Sequence, residues 1–287
     1  MNMTSTKNVI KGQINAIAWV FLYMIIQIMY GGILMYLYLT YSYEFKIRFL
    51  EVFSFISNAE SLNDIEWALS MTKGFMQLSN EIILPMLGLT SMTFILLFAI
   101  SIKKHKEIVI KKLSIKSIVF YIMIGNSLNL FVSSILNVLP EEIMRTYNQT
   151  VGLVTTGNIL LLIVVAGILI PVTEEIVFRH FIFIGNKQIN IKYAAVISAI
   201  AFGVAHGNLI QGIYAGIFGI IFIFYDLKED NLLPGMIMHI TINLVSVIIS
   251  STGINEMEIL LLLTLVSSSM YIVLNYFDKK EETECIQ

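Results

Sequence analysis

Seven stretches of the chain, 12–43, 82–102, 117–140, 146–173, 193–225, 231–255 and 259–277, contain no Asp, Glu, Lys or Arg. A helix crosses the hydrocarbon core of a bilayer in about 20 apolar residues, and these runs are of that length or longer. They are also too long and too uniformly apolar for barrel strands, whose side chains alternate. Helix is the state required of them, because the bilayer interior offers no partner to a free backbone N–H or C=O. The longest interior run, 193–225, has Gly207-Asn208 near its middle, a turn signal. It divides into two short helices, over roughly 191–206 and 209–226. The predicted fold is therefore all-α, a polytopic bundle of about eight transmembrane helices in a cell membrane.

Composition agrees: 57% of the 287 residues are hydrophobic and only 13% are charged, about half of what a soluble surface carries. A net charge of −2 gives none of the basic footprint that nucleic acid requires. The single cysteine, Cys285, excludes an internal disulfide and a thiolate metal cage. With both termini in the cytoplasm, fourteen of the eighteen Lys and Arg fall on the inner side, leaving only Lys46, Arg48, Lys73 and Arg145 outside. That asymmetry fixes the expected orientation and depends on an even number of crossings. Residues 1–150 are read as three N-terminal spans, joined by an outer loop 44–81 and a basic inner loop 103–116. The region 151–255 is read as a catalytic core, and 256–287 as a last span with a cytoplasmic tail. Loop 44–81 mixes Phe49, Phe53, Phe55 and Trp67 with its charges, which suits a segment lying on the membrane surface.

Ionisable residues at membrane depth are the informative ones, since each is costly unless paired or placed in a wet cavity. In Pro171-Val172-Thr173-Glu174-Glu175-Ile176-Val177-Phe178-Arg179, Glu175 and Arg179 stand i and i+4 with the acid first, the favourable order for a helical ion pair. Glu174, about 100° away round the helix, is left free to act as a base. The same residues also suit a new helix capped by Thr173 after Pro171, with both acids at its N-terminus. His206 falls at the break between the fifth and sixth helices. His239 and Asn243 leave one face of the seventh and can converge on a small group, as oxyanion donors or as a polar clamp between helices. Three neighbouring segments carrying such groups favour one shared site.

Spelling excludes several chemistries. Intramembrane aspartyl proteolysis needs two Asp within spans, and Asp64, Asp226, Asp230 and Asp278 all lie outside the apolar runs. No His is followed by Glu in the zinc-protease pattern, and no Gly-x-Ser-Gly loop occurs. His105, among lysines, and His180, near an inner loop, are expected at solvated or interfacial positions.

At these residues the sequence resembles the CAAX protease and bacteriocin-processing family of intramembrane endopeptidases, also called CPBP or Abi. Its Glu-Glu-x-x-x-Arg corresponds to Glu174, Glu175 and Arg179, its Phe-x-x-x-His to Phe202 and His206, and its His-x-x-x-Asn to His239 and Asn243. The resemblance covers roughly 155–250 and implies a glutamate-dependent endopeptidase with a wet cavity open toward the cytoplasm. It implies that Glu174 and His206 hold and activate the attacking water and that His239 and Asn243 stabilise the oxyanion. Glu175, Arg179 and Phe202 would support them. The family is widely labelled a metalloprotease; zinc on Glu174, His206 and His239 is the implied ligand set, although their spacing forms no closed metal site and the expectation is no tightly bound zinc. Where the family commonly has Gly after the motif Arg, this chain has His180, a larger side chain that could narrow the cavity. The implied partners are the lipid bilayer and a membrane-associated peptide or precursor, such as a bacteriocin leader, pheromone or lipidated tail, in a bacterial plasma membrane. The alternative is a catalytically silent protein of the same fold, acting in bacteriocin immunity or envelope regulation.

Overall fold

The computed structural model describes residues 3–47, 79–104, 110–144, 147–148, 157–252 and 255–284. Eight long helices and no strand occur among them: α1 (Met3–Tyr41), α2 (Leu84–Lys104, entered through a π turn at Ser79–Ile83), α3 (Ile115–Leu136), α4 (Ile159–Lys187), α5 (Ile191–Ala205), α6 (Leu209–Glu229), α7 (Leu233–Thr252) and α8 (Glu256–Glu284). Seven are long and apolar enough to cross a membrane, which makes the chain a multi-pass membrane bundle. The eighth, α5, has 15 residues and rises only about 22 Å. It is shorter than a full crossing because the chain turns at His206-Gly207-Asn208. There Gly207 takes φ +66°, and the Asn208 side chain accepts from the N–H groups of Ile210 and Gln211 to cap α6. Since α5 and α6 form a hairpin, α6 returns to the side that α5 left, and the parity of crossings is unchanged.

Loops grouped on one side by their charges do meet. Lys111 and Asn231 exchange backbone-to-side-chain hydrogen bonds at 3.3 and 2.9 Å, and Lys111 Nζ lies 2.9 Å from Asp230. That ammonium holds the exposed Asp230 carboxyl below its ordinary range. At the opposite end, Ser133 donates to Glu256 at 2.7 Å and the Asn158 N–H to Asn80 at 2.7 Å. Arg179, counted above with the inner charges, is instead fully buried in the bundle. The surface reading of loop 44–81 and the position of His105 fall largely on 48–78 and 105–109, outside the described residues.

Between helices in lipid, close packing and hydrogen bonds replace the hydrophobic drive. Around α4, Val177, Phe178 and Ile182 pack with Ala16 and Tyr23 of α1, Phe94 of α2, Phe202 of α5 and Ala215 of α6. Trp19 stacks on Phe181 with centroids 3.9 Å apart. On the far side α3 lies between α7 and α8, its Asn129 donating to Ser246 at 3.1 Å. The α5–α6 hairpin is held backbone to backbone, for a Cβ on Gly203 would stand 2.5 Å from the Gly212 carbonyl oxygen. Gly203→Ala is therefore expected to force the pair apart and to lower stability by about 1–3 kcal/mol, as read by thermal unfolding in detergent micelles.

Helix α4 is irregular, and its irregularity shapes the site. Pro171 has no N–H to give, and π-helical segments at Ile163–Leu169 and Glu175–Ile184 lie on either side of it. Carbonyls along these segments accept from other helices: Ala166 from Asn243 (3.3 Å), Phe178 from Ser198 (2.7 Å) and Phe181 from Asn15 (3.2 Å). No new helix begins at Thr173, whose hydroxyl donates back to Leu169 at 2.8 Å.

Candidate active site

Glu174, Glu175 and Arg179 reach the interior from α4, and His239 comes to meet them from α7. Nδ1 of His239 lies 2.7 Å from Glu175 Oε1, and Nε2 lies 3.4 Å from Glu174 Oε2. One imidazole thus stands between two carboxylates that are adjacent in sequence. Arg179 pairs with Glu175 and not with Glu174, while both acids address the His239 ring from its two nitrogens.

Behind this contact, Arg179 Nε approaches Glu175 Oε2 at 3.0 Å, with both side chains at most 1% exposed. The terminal nitrogens Nη1 and Nη2 have no hydrogen-bond acceptor among the described residues. Aromatic faces stand in part for the missing acceptors, since the guanidinium carbon lies 4.3 Å from the Phe202 centroid and 5.4 Å from that of Phe222. With Glu175 ionised against Arg179, the Nδ1 of His239 is the donor in its 2.7 Å bond, and Nε2 is turned toward Glu174. The order Arg179, Glu175, His239, Glu174 is that of an orienting acid, an oriented imidazole and a second acid beside it.

His206 is brought near through Phe202, whose ring centroid lies 4.8 Å from His206 and 5.5 Å from His239, each edge-on. The Nδ1 of His206 is 2.8 Å from the Phe202 carbonyl. A carbonyl has no proton to give, so Nδ1 carries a hydrogen, and it is Nε2 that is bare whenever the ring holds one proton. Asn243, one turn beyond His239, gives one N–H to Ala166 and keeps a second.

Two placements differ from expectation. His180 is not interfacial: it is 6% exposed, shares a 3.1 Å hydrogen bond with Ser101 of α2 and meets the ring of Phe98 edge-on. Its larger side chain fills the α2–α4 interface, because α4 continues past the apolar run to Lys187 and α1 and α2 cover it. Asp226 is not outside the spans either. It lies on α6, 5% exposed. It is the only buried Asp among the described residues, so they hold no buried aspartyl pair.

Sequence reasoning also missed Tyr23. This buried residue of α1 packs against Phe178, hydrogen-bonds to Gln27 and stands within electrostatic reach of Glu174. Its signal, a Tyr–Gln pair at i and i+4 in an otherwise apolar span, was present in the sequence.

Among the described residues no three His, Cys, Asp or Glu side chains are grouped to hold a metal ion. The nitrogens of His239 both face carboxylates and Nδ1 of His206 faces a carbonyl. Glu174, His206 and His239 are not grouped as a three-ligand metal site among the described residues, and no step below runs through a metal.

Outside the polar cluster, an apolar cavity of about 740 Å³ runs along the α5–α6 hairpin. Ala199, Gly203, Gly207, Gly212 and Gly216 floor it, and the exposed side chains of Ile200 and Ile213 flank it. It reaches the turn that bears His206.

Residues 156–245, about a third of the chain, match the family model described as Type II CAAX prenyl endopeptidase Rce1-like. The matched segment contains every motif residue from Glu174 to Asn243. No curated protein and no solved structure matches the chain.

Proposed function

We propose that this chain, Rce1-like over residues 156–245, is an intramembrane endopeptidase that hydrolyses a peptide bond in a membrane-associated peptide or precursor of the CAAX, bacteriocin or pheromone type. The observation that carries the reading is the imidazole of His239 between the carboxylates of Glu174 and Glu175, inside an apolar bundle where such groups are costly unless they act. Glu174 takes a proton from water while the bare Nε2 of His206 helps to hold that water. The water oxygen adds to the carbonyl carbon. The tetrahedral oxyanion is stabilised by the second N–H of Asn243 and by His239, which for this carries a proton on Nε2 in addition to the one it shares with Glu175 through Nδ1. Collapse breaks the C–N bond, and the proton held by Glu174 passes to the leaving amine. Glu175 and Arg179 keep His239 oriented throughout, as the buried acid of a hydrolase triad does. The open apolar groove along the α5–α6 hairpin, which reaches the turn bearing His206, suits the lipid-soluble part of such a substrate.

Purified chain in lipid nanodiscs, given a prenylated peptide ending in a CAAX sequence, is expected to release the C-terminal tripeptide, detected by mass spectrometry. Absence of any cleavage over a panel of prenylated and unmodified membrane peptides would overturn the reading. Asn243→Ala is expected to lower kcat about 10²–10³-fold with little change in KM, as loss of one oxyanion donor does.

A further inference from the structure

Asp226 belongs to none of the motifs, yet its buried carboxylate is joined to the helix that carries His239. Its Oδ1 accepts from the Gly235 N–H at 2.7 Å, and Oδ2 has no hydrogen-bond partner among the described residues. A helix leaves its first N–H groups without internal partners, and here each has an acceptor. Leu233 donates to the Asn231 side chain (3.2 Å), Pro234 has no N–H, Gly235 donates to Asp226, and Met236 donates to the Leu232 carbonyl (3.3 Å). Asp226 is thus the only acidic side chain in that set.

The register of the two helices gives this cap its consequence. Phe222 and Asp226 are i and i+4 on α6; Gly235 and His239 are i and i+4 on α7. The Phe222 ring lies 5.5 Å from the His239 ring, while Asp226 holds Gly235 one turn away. A Cβ on Gly235 would stand 3.0 Å from both carboxylate oxygens and from Phe222 Cβ, so the helices are in contact at that point with no room between them. We infer that Asp226 is a positioning residue for His239: through the Gly235 N–H it fixes the start of α7 against α6, and so sets where the His239 ring stands between Glu174 and Glu175. Its weight in catalysis rests on the hydrolase reading above; its effect on the ring does not.

The test uses the full chain in detergent micelles with ring-¹⁵N-labelled histidine. Its four imidazoles are assigned by single His→Asn substitutions. Asp226→Ala is expected to shift the His239 ring signals and leave His180, on the α2–α4 interface, in place. Asp226→Asn keeps an acceptor for Gly235 and is expected to restore the wild-type His239 signals, whereas Gly235→Ala, which crowds the same contact, shifts them again. With a cleavable peptide, Asp226→Ala is expected to lower kcat about 10²-fold, as a small misplacement of a working group does, at unchanged KM, with most activity recovered in Asp226→Asn. His239 signals unmoved by Asp226→Ala, or His180 and His239 shifting together, would overturn the inference. A wild-type chain that cleaves nothing would instead count against the hydrolase reading while leaving the imidazole shifts as a separate result.

Discussion

Glu174→Gln is expected to lower cleavage about 10²–10⁴-fold while leaving the unfolding temperature close to that of the wild type. The amide has the shape of the acid but cannot take a proton from water at neutral pH. Folding has little at stake at this position, because the ion pair with Arg179 belongs to Glu175, and Glu174 meets only the edge of His239 at 3.4 Å. A product assay by mass spectrometry and a circular dichroism melt on the same preparation check both halves. Retained cleavage would remove Glu174 from the chemistry; a collapsed melt would make it a structural residue.

The converse is expected one helical turn away. Arg179→Met removes the guanidinium of a fully buried pair and leaves the buried Glu175 carboxylate with the His239 ring but without its cation. Breaking a buried pair by one partner costs about 3–5 kcal/mol, whereas replacing both partners with neutral groups of similar volume is often close to neutral. Arg179→Met alone is therefore expected to melt well below the wild type, and Arg179→Met with Glu175→Gln to recover much of the loss. Activity is not expected to return in the double variant, because a neutral amide no longer holds His239 as a carboxylate does. Equal melting of the wild type and Arg179→Met would show that the pair contributes no net stability.

Much of this arrangement was legible before any coordinates because lipid constrains sequence so strongly. Charge-free runs located the helices, and Gly207-Asn208 located the hairpin that divides one of them. The spacing of Glu175 and Arg179, and of His239 and Asn243, placed each pair on one helical face. What spacing within a helix cannot give is which faces of different helices meet. Glu174 and His206 are expected to share a water, which spacing neither shows nor excludes; spacing also does not reveal that Glu174 lies 3.4 Å from His239 or that Phe202 stands between the two imidazoles. Asp226 was passed over because it lies just past the charge-free run 193–225, at the end of the helix expected over 209–226, while α6 runs on through it to Glu229. The pattern Leu233-Pro234-Gly235 ahead of His239 was the available clue: a helix start with a free N–H calls for an acceptor upstream. His180 was misplaced for a related reason, since the apolar run ends before α4 does, and only packing by α1 and α2 shows that the last turns remain covered.

The central claim is that the acid and two imidazoles gathered from α4, α5 and α7 cut peptide bonds in the membrane. Comparative peptidomics of membranes from cells expressing either the wild-type chain or Glu174→Gln, at matched protein levels, tests it most directly. Membrane peptides with a new C-terminus are expected with the wild type and are expected to be lost with Glu174→Gln. Identical peptide populations, together with full complementation of a deletion by Glu174→Ala, would contradict it and assign the chain a role that needs the bundle but not the chemistry.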